Sequence, residues 1–408
     1  MANMTYDLVV IGAGPGGYVA AIRATQLGIK TAIIEREHLG GICLNWGCIP
    51  TKALLRSADI YRNILHADEF GLNVGNAGYD VQAMVARSRK VAARLNAGVR
   101  HLLTKNKVTI IEGQAKLEMP DSQNKKLHLL SIKMPDKEET VLAKNVIIAT
   151  GARARDLPFA QADGDKIWSY KHALQAKKAP KSMVVIGSGA IGIEFSSFFN
   201  CFGTEVTVIE MMDRILPVED QEISKMAHLS FKKQGMNILT NTRLNKVEKT
   251  KTGVVVDIEK DNKTQKIEAE ILLSAVGIVG NVENIGLEEL GIEFKNSHIN
   301  VDEYCRTNID GIFAIGDVAG APWLAHKAEF EGVMVVESLA GMDVKPICQQ
   351  KIPACTYSHP QIASIGLSEE KAKSAGYDLK IGRFPFVGNG KAIALGEDQG
   401  LIKTIFDA

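Results

Sequence analysis

The chain has 408 residues, 46% of them hydrophobic and 23% charged, with a formal net charge of +1, so it has room for about two to four domains. The near-neutral balance gives no electrostatic case for nucleic acid or a membrane surface as partner. No run approaches the ~18 apolar residues of a membrane span and no signal peptide opens the chain, so a cytoplasmic location is expected.

Residues 6–11 read as a short apolar strand, followed by Gly12-Ala13-Gly14-Pro15-Gly16-Gly17 and a helix over 18–27. Gly28 stops that helix, and residues 30–35 form a second strand ending in Glu35. In a βαβ unit the first glycine makes the tight turn and the second lets the backbone approach a pyrophosphate. The third permits close helix–strand packing, with the phosphate at the helix N-terminus. Glu35 is placed to accept hydrogen bonds from an adenosine ribose.

The run from Gly40 to Lys52 comes next, with Cys43 and Cys48 five residues apart. A regular helix would hold those Cα atoms about 8–9 Å apart, beyond the reach of a disulfide. The run therefore has to bend, and Gly47 and Pro50 permit it. An accessible, strained disulfide is the labile kind that enters catalysis. Redox chemistry is expected here, against the plainer alternative of two unrelated buried thiols. Cys201, Cys305, Cys348 and Cys355 lack metal-like spacing and read as core or incidental thiols, so no metal site is expected.

Residues 144–151 read as an apolar strand ending in Ala149-Thr150-Gly151. The first pattern then returns. Residues 183–186 form a strand, Gly187-Ser188-Gly189-Ala190-Ile191-Gly192 the turn, 193–202 a helix, and 205–210 a strand ending in Glu210. In both copies the acid lies 18 residues beyond the third glycine. Two copies in one register predict two dinucleotide sites. A carboxylate at Glu210 favours a free 2′-hydroxyl and repels a 2′-phosphate, which predicts NAD over NADP. Residues 307–317 read as a strand delivering Asp317 beside Gly316, where a carboxylate can hold the polyol chain of a flavin nucleotide.

Taken together, these motifs resemble the dihydrolipoamide dehydrogenases, the flavoprotein components of 2-oxo acid dehydrogenase complexes. The resemblance is carried by both fingerprints, the Gly40–Lys52 block, Ala149-Thr150-Gly151, Glu194, Ala314-Ile315-Gly316-Asp317 and Leu324-Ala325-His326-Lys327. It implies an α/β fold with two Rossmann-like dinucleotide-binding domains, a central domain and a partial α+β interface domain. The implied regions are an FAD-binding domain over 1–145, an NAD-binding domain over 146–273, a central domain over 274–343 that completes the flavin site, and part of the dimerisation domain over 344–408.

The resemblance also implies roles. Cys43 would be the interchange thiol and Cys48 the thiolate against the flavin. Lys52, one turn after Cys48, would pair with Glu194 near the flavin. Gly12, Gly14, Gly17, Glu35, Lys52, Ala115, Thr150, Gly151, Asp317 and Ala325 match FAD-contacting positions. Gly187, Gly189, Ile191, Gly192, Glu210, Leu244 and Gly277 match the NAD side. The implied activity is NAD-dependent oxidation of dihydrolipoyl groups, in a homodimer served by lipoyl domains of an acyltransferase or by an H-protein.

Three departures stand out. Ile278 follows Gly277 where many relatives have arginine, and Trp46 stands where a smaller residue is common. Relatives also carry a C-terminal His-Pro-Thr…Glu segment whose histidine serves the partner's dithiol. This chain stops at Ala408 inside a strand-like run, so a truncated enzyme is expected. His359 precedes Pro360 but matches an early interface-domain strand, and His326 is expected to be structural. Two other readings are an NADPH-dependent disulfide reductase of the glutathione or mercuric type, and a flavin-bearing docking module without lipoamide turnover.

Overall fold

The structure is a computed structural model describing residues 4–119 and 126–408. The chain divides into two compact units. One gathers Met1–Pro50, Arg87–Ala154 and Ile278–Ile352; the other gathers Thr51–Ala86, Arg155–Gly277 and Pro353–Ala408.

The first unit is built on a seven-stranded sheet in the order Thr109–Glu112, Thr31–Glu35, Met4–Ile11, Glu138–Ile148, His128–Lys133, Gln114–Glu118, with Ile312–Ala314 also pairing with Glu138–Ile148. Met4–Ile11 is parallel to both neighbours, and Leu8, Val9 and Val10 are fully buried. A strand covered on both faces reads as a continuous apolar run, which is why this one was legible. Glu138–Ile148 is longer than the sequence suggested because its first residues pair antiparallel with His128–Lys133. Its last residues lie between Ile11 and Ala314. The C-terminal ends of Met4–Ile11, Glu138–Ile148 and Ile312–Ala314 therefore share one edge. In open parallel sheets ligands gather at that edge.

The second unit holds a five-stranded parallel sheet in the order Asn237–Leu239, Glu205–Ile209, Ser182–Ile186, Ile271–Ser274, Ile167–Trp168. A three-stranded antiparallel meander, Thr242–Lys249, Val254–Lys260 and Lys263–Ala269, follows it in the chain. Beyond residue 353 come the pairs Ala354–Thr356 with Ile362–Ser364 and Leu379–Pro385 with Leu401–Asp407.

Both fingerprint helices begin earlier than expected, at Pro15 rather than Tyr18 and at Ala190 rather than Ile193. In each, the second glycine is the residue before the helix, and the third already lies within it. Proline at the first helical position supports the earlier start in the first copy.

Candidate active site

The two cradles match bond for bond. Gly12 donates from its N–H to the Ile34 carbonyl at 2.8 Å, and Gly187 does the same to Ile209 at 2.9 Å. Ala149 donates to the Ile11 carbonyl and Ala275 to that of Ile186, both at 2.8 Å. Gly12 and Gly187 have φ of +100° and +95°, and a Cβ on either would collide with the carbonyl oxygen of Ala149 or Ala275. Only glycine meets both conditions.

The acids are pinned alike. The Glu35 carboxylate accepts from the Ala13 N–H and the Glu37 N–H, each at 2.8 Å. The buried Glu210 carboxylate accepts from the Ser188 N–H at 2.9 Å, the Ser188 hydroxyl at 2.6 Å and the Met212 N–H at 2.9 Å. A carboxylate has about four acceptor positions, so both acids retain capacity for a ribose hydroxyl. A Cβ built on Gly14 or Gly189 would meet nothing within 4 Å. Open space before a helix N-terminus, with a carboxylate that still accepts, fits an adenine dinucleotide in each cradle.

In the first unit two further turns border the same edge. Thr150 donates its hydroxyl to the Asn281 carbonyl at 2.8 Å, and Asn281 returns its side-chain amide to the Thr150 carbonyl at 2.9 Å. The Asn281 N–H donates to Gly151 at 2.9 Å. Asp317 sits in the short 3-10 turn Gly316–Ala319, and burial raises its carboxyl, partly offset by Lys327. That turn is clamped by a buried ion pair from the helix Ala325–Leu339. Glu331 accepts from the Gly316 N–H at 2.7 Å, while Lys327 donates to the Gly320 carbonyl at 3.0 Å and meets Glu331 at 3.0 Å. Ala325 begins that helix, and Ala115 is buried in Gln114–Glu118.

Cys43 and Cys48 are joined in a disulfide with Cα atoms 4.7 Å apart. The bend required for this falls at Gly47, between the helices Gly41–Trp46 and Cys48–Leu65. The loop is tied to the first fingerprint: the Gly40 N–H donates to the Ala13 carbonyl at 2.7 Å, and a Cβ on Gly41 would come within 2.7 Å of the Gly14 Cα. Asn45, buried between the cysteines, donates to the carbonyls of Leu39 and Gly41 at 2.9 and 2.8 Å.

In the second unit Glu194 lies on the helix Ala190–Cys201, and its carboxyl is raised by burial against the opposing Tyr357 N–H and Lys52. No ion pair within 4.0 Å joins it to Lys52. Instead Tyr357 stands between them: its N–H donates to Glu194 at 2.8 Å, and the Lys52 ammonium lies 3.9 Å from its ring centroid. The expected direct pair is thus replaced by two contacts on one tyrosine. Sequence reasoning passed over Tyr357; the signal was an aromatic residue two positions before His359. Ile191 is partly exposed, Leu244 is half-buried at a bulge in its strand, and Gly277 has φ of +97°.

His359 lies in the turn between two strands rather than on one, with its N–H donating to the Ser197 hydroxyl at 3.1 Å. Burial, reinforced by Arg62, lowers its pKa. Cys305 is buried, and burial raises its thiol pKa, whereas Cys348 and Cys355 are exposed. Among the described residues no metal-binding group of three or more side chains is gathered, and no helix is long and apolar enough to cross a membrane.

The family model described as pyridine nucleotide-disulphide oxidoreductase matches residues 6–332, and that family's dimerisation domain matches residues 352–408. A dihydrolipoyl dehydrogenase of Rhizobium etli is 53% identical, covering 99% of this chain and 86% of its own length. That of Zymomonas mobilis is 52% identical with coverages of 99% and 86%. Among solved structures, LpdA from Mycobacterium tuberculosis superposes with a TM-score of 0.92 at 28% identity, covering 99% of this chain and 87% of that one. The HOCl-induced flavoprotein disulfide reductase RclA of Escherichia coli, solved as a Cu(II) complex, gives 0.85 at 25% identity with coverages of 100% and 87%. The chain belongs to the pyridine nucleotide-disulphide oxidoreductase family, among its dihydrolipoyl dehydrogenases.

Proposed function

We propose that this chain oxidises dihydrolipoyl groups at the Cys43–Cys48 disulfide and delivers the electrons through FAD to NAD. The observation that carries this reading is the disulfide loop bonded to the first fingerprint, Gly40 to Ala13, so that the redox-active pair borders a dinucleotide cradle.

A dihydrolipoyl thiolate attacks the Cys43 sulfur, the Cys43–Cys48 bond breaks, and Cys48 leaves as a thiolate. The second lipoyl thiol then displaces Cys43, closing the lipoyl disulfide and leaving both electrons on the two cysteines. FAD, when bound, would supply the two-electron redox chemistry that links this dithiol to NAD. Gly12, Gly14, Gly17, Glu35, Ala115, Thr150, Gly151, Asp317 and Ala325 hold the flavin nucleotide. Gly187, Gly189, Ile191, Gly192, Glu210, Leu244 and Gly277 hold NAD, with Glu210 selecting the free ribose hydroxyl. Lys52 and Glu194, both in contact with Tyr357, are the charged residues assigned to catalysis beside the dithiol.

In this reading residues 1–145 and 274–343 form the flavin site, 146–273 the NAD site, and 344–408 part of a homodimer interface. The donor is the lipoyl domain of an acyltransferase or an H-protein, and the setting is a reducing cytoplasm. The test is an absorption spectrum of the flavin-loaded protein during NADH titration. Cys48→Ser should abolish the long-wavelength thiolate–flavin band, and Cys43→Ser should show it without reductant. The reverse pattern would exchange the two roles, and no band in the parent protein would overturn the reading.

A further inference from the structure

Arg89, on the helix Val81–Lys105, stacks against Trp46. Its guanidinium carbon lies 4.5 Å from the centroid of the Trp46 ring, and its Nη1 donates to the Asn45 carbonyl at 2.6 Å. Asn45 and Trp46 end the helix Gly41–Trp46 and lie between the two cysteines. A carbonyl in the last turn of a helix lacks an intrahelical partner, and a cation there also complements the helix dipole. Asn96, two turns further along the same helix, donates to the Leu39 carbonyl at 2.8 Å and the Asn45 side-chain oxygen at 3.4 Å. One helix face therefore grips the residues on which the disulfide depends.

The remaining guanidinium nitrogens, Nε and Nη2, are buried and make no hydrogen bond. A cation with two idle donors is costly in the oxidised state, and burial accordingly lowers its pKa. Opening of the Cys43–Cys48 bond would create an anionic sulfur at an end of the short run in which Arg89 grips Asn45 and Trp46. Two-electron reduction by a dithiol donor breaks the Sγ–Sγ bond, leaves a thiol and a thiolate, and closes the donor to its own disulfide.

We propose that Arg89, braced on Trp46, is a positioning residue for the Cys43–Cys48 couple: it holds the inter-cysteine turn and supplies the positive charge that favours the reduced, anionic form. The proposal rests on the reading of this disulfide as the working one. Arginine suits the task because its planar group can stack on the indole and donate in plane at once, which lysine cannot do.

The test equilibrates the flavin-loaded protein with dithiothreitol redox buffers at pH 7 and reads the two cysteines by alkylation and peptide mass. Arg89→Gln should shift the couple about tenfold toward the disulfide, or ~30 mV more negative for two electrons. Arg89→Lys should recover more than half of that shift. Trp46→Leu keeps the charge but removes its brace, and should shift the couple three- to fivefold in the same direction. It decides the matter alone if Arg89→Gln does not fold. Folded, flavin-loaded Arg89→Gln and Trp46→Leu variants that stay within twofold of the parent overturn the proposal. A parent protein with no reducible Cys43–Cys48 couple overturns the functional reading instead, so the two failures are separable.

Discussion

Replacing Glu331 with glutamine changes almost no volume but breaks a buried arrangement that has no alternative. Glu331 and Lys327 are 8% and 2% exposed. One carboxylate oxygen accepts from Gly316 at 2.7 Å and the other meets the Lys327 ammonium at 3.0 Å. A glutamine amide has one acceptor end and one donor end. In one orientation its NH2 faces the ammonium; in the other it faces the Gly316 N–H. Either way a buried donor loses its acceptor.

Removing one partner of a buried ion pair costs about 3–5 kcal/mol. Lys327 keeps its bond to Gly320, so about 3 kcal/mol is the appropriate figure, against a typical total of about 5–15 kcal/mol. That corresponds to a fall in melting temperature of roughly 6–12 °C for a unit of this size. The turn that loosens carries Asp317, so FAD should dissociate at least about tenfold more readily. Thermal unfolding of the flavin-free protein measures the first effect, and flavin release from the loaded protein, followed by fluorescence, measures the second. A variant that loses less than about 1 kcal/mol and holds FAD as tightly as the parent would refute the reasoning. The double change Lys327→Met with Glu331→Leu removes both charges and should recover part of the stability, because apolar replacement of a buried pair is often neutral.

Two further outcomes follow from the second unit. Glu210→Ala strands three donors and should weaken NADH binding by about 1–3 kcal/mol while raising tolerance of NADPH; equal use of both coenzymes by the parent, measured by kcat/KM, would remove Glu210 from that role. The largely buried Lys403 ammonium gathers Asp220 at 2.8 Å, Glu222 at 3.2 Å and Glu369 at 2.7 Å. Lys373 and Lys403 hold the Glu369 carboxyl down to about 2. Burial opposes the same effect at Asp220, but Lys403 and two backbone N–H groups outweigh it. Carboxyls depressed on folding stabilise fully above their unfolded values near 4 and lose that contribution as pH falls toward about 2. Protection of the amides in Leu401–Asp407, measured against their intrinsic exchange rates, should therefore fall between pH 5 and pH 3, and Lys403→Met should show low protection already at pH 5. Unchanged protection at pH 3 in the parent would argue against the network.

The two cradles were legible in the sequence because every requirement there is local. A strand must end in a glycine with positive φ, a third glycine must meet the first one's carbonyl, and an acid must close the second strand within one βαβ unit. The bend between Cys43 and Cys48 was legible for the same reason, since a disulfide over that spacing excludes a continuous helix. The packing around those motifs was not. Ala314 reaches Ile148 only because Ile312–Ala314 inserts in the sheet. Tyr357 serves Glu194 across 163 residues, and Arg89 serves Asn45 across 44. Only the spacing of Lys327 and Glu331 on one helix hinted at their pairing, and nothing in it named Gly316 as the group they hold. Such contacts arise when elements distant in the chain are pressed together by burial of their apolar faces. That force is non-directional, so the sequence marks which faces are buried and the tertiary structure decides which polar groups meet.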